Sequence, residues 1–266
     1  MKKFSIIIPN YNKGTLIEQC LSSVFNQTLS KDEYEVIVID DSSTDDSITI
    51  INKYDVLLLK SNRLGAGGAR NVGFEKASGE YIILLDSDDF FTNNNVLSNI
   101  KNQLNDEDIV FVRYIENKLG VEKLIMEDET KTLNELIYTS QYFCCTLKCF
   151  KRSFINDIYY KERCAHEDIA FTLSLMCKAQ RMLFFKEPLY TYYKPNTNST
   201  VDNYSIRKAT DFLQQTLEYF YLADHYPDKK DDILKRISIE NYANRINHLY
   251  DWVSNDKSYT YKEFIK

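Results

Sequence analysis

Four short apolar runs, each stopping at a polar cluster and separated by helix-period segments, restrict this chain more than any other feature of its sequence. The runs are Phe4–Ile8, Tyr34–Ile39, Val56–Leu59 and Tyr81–Leu85. Between the first two, Leu16, Ile17, Cys20, Leu21, Val24 and Phe25 fall on one helical face and predict a helix over residues 14–26. Residues 44–53 and 66–77 read as the next two helices, with Ser43 or Thr44 as an N-cap. Near-continuous apolar strands alternating with helices imply an α/β fold with a mostly parallel central sheet covered by helices on both faces. Ligands of such sheets bind beyond the C-terminal ends of the strands.

The second half is less regular. Strands are expected at Asp108–Arg113, Thr146–Phe150, Met182–Phe185 and Leu189–Tyr193, and helices over 131–138, near Lys151–Ser153, and over 167–178. Residues 205–252 read as helical throughout, broken at Pro227.

The strand ends carry unusual chemistry. The first delivers Pro9-Asn10-Tyr11-Asn12, the second Asp40-Asp41-Ser42-Ser43-Thr44-Asp45, and the fourth Asp86-Ser87-Asp88-Asp89. After the third comes a small-residue stretch. Five of the chain's seven glycines lie in the fifteen residues from Gly65 to Gly79, which also hold Arg70. Asp45 and Asp46 read as helix caps. Three carboxylates within Asp86–Asp89 repel one another unless a cation lies between them, and hard oxygen ligands suit Mg²⁺ or Mn²⁺. Arg70 is either a solvent-exposed side chain or a fork held for a phosphate or carboxylate. Glu167-Asp168 at a helix start, beside His166, is either a pair of acids favoured by the helix N-terminus or a general base offered into the cleft.

Several tempting motifs fail. Gly65-Ala66-Gly67-Gly68-Ala69-Arg70 has Arg where a dinucleotide fingerprint needs its third glycine, and it follows the third strand rather than the first. Gly68 to Gly73 continues into Phe74-Glu75, not the Lys-Ser/Thr of a P-loop. A zincin beginning at His166 would need His at 170, which is Ala170. The six cysteines form no CxxC pair and read as reduced, buried thiols. A net charge of −6 argues against nucleic acid as a partner. No apolar run reaches the roughly 18 residues of a membrane span, and the one after Met1-Lys2-Lys3 is too short for a signal-peptide core. A cytoplasmic protein is expected.

Ser5 to Lys13, Val38 to Asp45, Gly67 to Gly73 and Leu84 to Asp89, in that order and at those strand ends, resemble the family-2 glycosyltransferases, inverting enzymes of the GT-A fold. The resemblance runs over about residues 4–115 and resumes at Glu167-Asp168 and Tyr190–Ser199. It implies a GT-A domain over residues 1–204, with a Rossmann-like nucleotide-sugar-binding half (1–115) and an acceptor-side half (116–204), and a helical extension over 205–266. Pro9 and Tyr11 would line a uracil pocket and Asp41 would bond the base. Asp88 would hold the metal ion, Mn²⁺ or Mg²⁺. Asp86 and Asp89 would serve the ribose, donor sugar or metal, and Arg70 would sit near the donor or its phosphates. Lys194 and Ser199 lie in a segment that often closes over the diphosphate. Asp168 would be the catalytic base, with Glu167 and His166 on the acceptor side. The partners implied are a UDP-sugar and a glycan, lipid-linked or glycoprotein acceptor in surface polysaccharide or glycoconjugate synthesis. Contact with a partner protein, a second copy or the inner membrane face through 205–266 stays open, although the charges there balance. Competing readings are a non-catalytic nucleotide-binding relative and a sugar-nucleotide pyrophosphorylase. The latter expects a glycine-rich loop with Arg and Lys after the first strand, where this chain has Pro9-Asn10-Tyr11-Asn12.

Overall fold

A computed structural model describes residues 2–126, 129–139, 146, 148–165, 167–194 and 206–236. The first half alternates as the apolar pattern dictates: β1 (Phe4–Asn10), α1 (Gly14–Phe25), β2 (Tyr34–Asp40), α2 (Ser47–Ile51), β3 (Leu57–Lys60), α3 (Gly65–Lys76) and β4 (Tyr81–Leu84). There follow β5 (Phe90–Phe91), α4 (Val96–Gln103), β6 (Ile109–Lys118), β7 (Val121–Ile125), α5 (Leu133–Thr139), β8 (Lys148–Lys151), α6 (Asp168–Lys178), β9 (Met182–Lys194), α7 (Ile206–His225) and α8 (Lys230–Arg236).

Among the described residues one sheet carries nine strands, in the order β3-β2-β1-β4-β8-β6-β9-β5, with β7 paired to β6. The β3-β2-β1-β4 block is wholly parallel. β8 then enters antiparallel between β4 and β6, while β6 and β9 run parallel. Pro9 fits a central strand for a simple reason. Alternate residues of a parallel strand bond to alternate neighbours, so Ile7 faces β4, where its carbonyl accepts from Leu85 N at 3.1 Å, and Asn10 faces β2, where its carbonyl accepts from Asp41 N at 2.8 Å. Pro9 faces the β4 side beyond that strand's last ladder pair, so no hydrogen bond is lost.

Period-2 alternation sorts the core into two layers. Ile7, Ile37, Ile39, Ile82 and Leu84 pack with α3, α5, α6, α7 and α8 on one face. Ile6, Ile8, Val36, Val38 and Ile83 pack with α1, α2 and α4 on the other. Tyr219, Leu222, Ala223 and Ile233 of α7 and α8 belong to the first layer, so part of the segment after residue 204 contributes to the cluster that also holds Ile7. α3 lies against the sheet because Gly73 has no side chain: a Cβ there would fall 2.5 Å from Ile7 Cγ2 and 2.9 Å from Ile39 Cδ1.

The second half departs from the sequence expectation in detail. The two strands expected at 182–185 and 189–193 are one strand, β9, whose register shifts where Pro188 pairs with Arg113. Proline breaks the ladder locally without ending the strand. The helix expected near Lys151–Ser153 is a 3₁₀ segment, Arg152–Asp157. No helix among the described residues is long and apolar enough to cross a membrane.

Candidate active site

The C-terminal ends of β1 and β2 are tied together by side chains. Asn10 is buried and donates from Nδ2 to Asp40 Oδ1 at 3.0 Å and to Ser43 Oγ at 3.1 Å, while Asp40 Oδ2 accepts from Ser43 N at 3.0 Å. Asp41, also buried, reaches the other way. Its carboxylate accepts from Ser61 Oγ at 2.6 Å and from the backbone N–H groups of Leu64 and Gly65, both at 2.9 Å. It thereby anchors the loop that opens α3 and keeps one further acceptor position. Asp45, expected to cap α2, accepts from Ser47 N at 3.0 Å and also from Gly14 N at 2.9 Å. Burial pushes its carboxyl up, but the bonds from Ser47 and Gly14 outweigh that and hold it below the usual value. Asp46 stands at the N-cap of α2 without a side-chain capping bond.

Backbone conformation is unusual at the same edge. Asn12, Ser42, Arg63 and Arg163 all have positive φ, between 51° and 70°, and Gly65 lies at 77°. Such positions cost about 1–3 kcal/mol each for ordinary residues and collect where a ligand must be met. Arg163 N donates to Leu64 O at 2.6 Å, strapping the segment before α6 across the segment before α3. Tyr11 is 42% exposed, and the Arg63 guanidinium lies over its ring at 4.9 Å.

Arg70 is the hub. Only 4% exposed, it is not the surface side chain that one expectation allowed. Nor does it point both arms at open space for a phosphate. One terminal nitrogen donates to Asp86 Oδ1 at 2.7 Å, and the other to Glu167 Oε1 at 2.9 Å. Its guanidinium also lies 5.3 Å from the Tyr160 ring centroid. A buried charge of this kind is tolerated only when paired, and the fork geometry of Arg can hold two carboxylates at once. Of the two expectations, the fork held for a carboxylate is the one the geometry bears out, as a bridge between the β4 end and the start of α6. Gly67 permits that approach, since a Cβ there would lie 2.8 Å from Glu167 Cγ and 2.9 Å from Tyr160 Cβ. Tyr160 stacks on Phe171 at 3.9 Å between centroids, which seats α6 against α3.

Asp168 is the first residue of α6, where the unpaired N–H groups favour a carboxylate. Glu167, at the N-cap, carries it to the hub. Asp86 and Asp88 are both partly exposed, and each already faces a cation, Asp86 through Arg70 and Asp88 through Lys13 Nζ at 2.5 Å. Asp89 is turned inward, and its Oδ1 accepts from Tyr193 N at 3.1 Å. It fixes the end of β9 rather than lining the open edge. Lys194 leaves β9 beside Glu116 at 3.5 Å and over the Tyr192 ring at 4.5 Å. His166 and Ser199 lie outside the described residues.

The residues present fit a divalent ion of the hard-oxygen kind. The buried Cys20 thiol is pushed up, first by burial and then by Asp89, Asp88 and Asp86, the same three carboxylates. No group of three or more His, Cys, Asp or Glu able to hold a metal occurs among the described residues. Asp88 and Asp86 would hold such an ion only with phosphate oxygens completing its shell, the usual Mg²⁺ arrangement.

A separate cavity of about 410 Å³ lies between Asp157–Lys161, α6 and α7. Glu167 is on its wall, with Tyr159, Tyr221, Glu218 and His225. Sequence reasoning missed this cavity, along with Lys13, Asn10 and Tyr160. Lys13 was visible only as the end of the Ser5–Lys13 motif, since nothing local tells a paired lysine from a solvated one.

The model of the family described as "Glycosyl transferase family 2" matches residues 5–159. The chain is 32% identical over 225 residues to poly(ribitol-phosphate) beta-N-acetylglucosaminyltransferase TarP of Staphylococcus aureus, covering 79% of this chain and 68% of that protein. It is 30% identical over 212 residues to UDP-Glc:alpha-D-GlcNAc-diphosphoundecaprenol beta-1,3-glucosyltransferase WfaP of Escherichia coli, covering 76% and 81%. Poly(ribitol-phosphate) beta-N-acetylglucosaminyltransferase TarS of S. aureus is 30% identical over 204 residues, but the match covers 72% of this chain and only 35% of that protein, so the chain spans about a third of it. A crystal structure of TarS residues 1–349 in complex with UDP-GlcNAc superposes with a TM-score of 0.70 at 25% identity, covering 94% of this chain and 80% of that one.

Proposed function

Because the chain belongs to glycosyl transferase family 2, we propose that it moves a sugar from a UDP-sugar to a hydroxyl of a glycan, lipid-linked oligosaccharide or glycoprotein, with inversion, in surface polysaccharide or glycoconjugate synthesis. The observation that carries this reading is the Asp86–Arg70–Glu167 bridge. It ties the carboxylates at the β4 end to the N-terminus of α6, so a donor bound at the strand ends would lie beside the base on α6.

In this reading Pro9 and Tyr11 flank the uracil, and Tyr11 exchanges the Arg63 guanidinium for the base. Asp41 uses its remaining acceptor position on the ring N–H. Asp88, with help from Asp86, would hold a divalent ion, whose positive charge would be available against the charge of the departing diphosphate. Lys194 and Ser199 belong to the segment that meets the diphosphate. Arg70 and Asp89 are positioning residues, one for the α6 start and one for the β9 end. Asp168 takes the proton from the acceptor hydroxyl as that oxygen attacks the anomeric carbon. A single displacement gives a β product from an α-linked donor.

What supports an acceptor seat is the 410 Å³ cavity, whose wall includes Glu167, the neighbour of Asp168. Exposed faces of Tyr159 and Tyr221 suit sugar rings, and Glu218 suits hydroxyls.

Calorimetric titration of UDP with and without Mn²⁺, followed by a panel of UDP-sugars, tests the reading. Metal-enhanced UDP binding and transfer from one sugar nucleotide are expected. Absence of UDP binding under both conditions overturns it.

A further inference from the structure

Asp86, Ser87, Asp88 and Asp89 bring three carboxylates into four residues, and each has a different answer to the repulsion. Asp86 has Arg70, Asp89 has the backbone of β9, and Asp88 has Lys13. The two cations differ in how freely they can leave. The Arg70 side chain is 5% exposed, and its withdrawal would strand the charge of Glu167, which is also largely buried. The Lys13 side chain is 37% exposed and that of Asp88 is 29% exposed, so their pairing is of the weak, easily exchanged kind. Only the head of Lys13 is free to move. Lys13 N donates to Ser47 Oγ at 3.2 Å, and Gly14 N donates to Ser47 Oγ and to Asp45 Oδ2, both at 2.9 Å, so the root of the side chain is fixed at the C-terminal end of β1.

We propose that Lys13 is a resident counter-cation of Asp88. It yields the carboxylate to a divalent ion when a nucleoside diphosphate offers its ammonium group other oxygens, so that metal and nucleotide bind as a cooperative pair. The inference rests on the donor-site reading above and names a positioning residue that this reading does not use. A divalent ion arriving alone must displace an ammonium that has no other anion to meet, and it then sits beside that positive charge. A diphosphate arriving with the ion removes both costs, because its oxygens accept from Lys13 and complete the metal shell. By thermodynamic linkage, the factor by which UDP tightens the metal equals the factor by which the metal tightens UDP.

The test is a titration of Mn²⁺, with free ion followed by electron paramagnetic resonance, with and without UDP, on the wild-type chain, Lys13→Met, Lys13→Arg and Lys53→Met. Lys53 pairs with Glu18 at the surface and serves as a control for the loss of one positive charge. In Lys13→Met, Mn²⁺ alone is expected to bind about fivefold tighter or more, with the UDP enhancement shrinking by a similar factor, as couplings of ordinary size allow. UDP alone should bind severalfold more weakly. Lys13→Arg should keep most of the coupling, and Lys53→Met should leave both affinities unchanged. If the wild-type coupling survives intact in Lys13→Met, with Mn²⁺ affinity within twofold of wild type, the role of Lys13 is overturned while the donor site stands. If UDP binds the wild-type chain but shows no coupling to Mn²⁺, this inference falls while the nucleotide site stands; if UDP binds neither with nor without Mn²⁺, the donor-site reading falls and this inference falls with it.

Discussion

The β1–β4 edge and the region around α6 are held by different means. At the first edge, carboxylates take bonds from nearby backbone, amide and hydroxyl groups: Asp40 from Asn10 and Ser43, Asp41 from Ser61, Leu64 and Gly65. Neighbouring loops of one parallel block supply all of these. The start of α6 is joined to that edge by one buried guanidinium, by the Arg163–Leu64 strap and by close packing at Gly67. The first region can keep its shape if the second is disturbed. The second depends on the first for its placement.

The largest effect that tests this contrast is at the proposed base. Asp168→Asn should lower transfer by about 10²–10⁴-fold, the usual weight of a general base, while calorimetry finds UDP affinity within about twofold of wild type. Unchanged turnover would remove Asp168 from the mechanism. Next comes the bridge. Arg70→Met leaves Asp86 and Glu167 without their shared partner and should cost about 3 kcal/mol in urea unfolding. Transfer should fall further than UDP affinity does. Arg70→Lys restores charge without the fork and should recover stability only in part. Equal losses of UDP binding and transfer in Arg70→Met would mean that the two regions are not separable.

Gly67→Ala probes the same junction sterically. Its methyl would press on Glu167 and Tyr160 and should cost about 1–3 kcal/mol, read as a lower melting temperature with UDP affinity retained. The smallest effect concerns Glu35, at the far end of β2. Burial pushes its carboxyl up, but bonds from Ser5, Ser78 and Gly79 outweigh this and hold it below the usual value. The folded state therefore keeps the carboxylate where the unfolded chain would protonate. That stability is present above the ordinary glutamate range and disappears as pH falls through the lowered value. Glu35→Gln should flatten the acid limb of the stability curve slightly and leave transfer at neutral pH unchanged. A full acid limb in that variant would remove Glu35 from the account.

The helices and strands of the first half were legible because burial on both faces forces continuous apolar runs, and because polar residues must mark where each strand leaves the sheet. α4, β5 and β7 were not anticipated. β5 is two residues long and exists only because β9 pairs with it, and β7 is an exposed hairpin arm with four of its five residues on the surface. Neither leaves a periodic signal, since what makes each a strand is a partner distant in sequence or an unburied ladder.

The sequence by itself determined the parallel block, the edge at which its chemistry collects and the family to which the chain belongs. These follow from period, strand length and ordered motifs, which are local properties. Only the tertiary structure decided how the charges pair. Residues 70, 86 and 167 are scattered along the chain, and which carboxylate meets Arg70 depends on how closely α3 and α6 approach across Gly67. Lys13 and Asp88 are 75 residues apart and meet only because β1 and β4 are neighbours in the sheet. Charge pairing at that range is set by packing, and no spacing in the sequence encodes it.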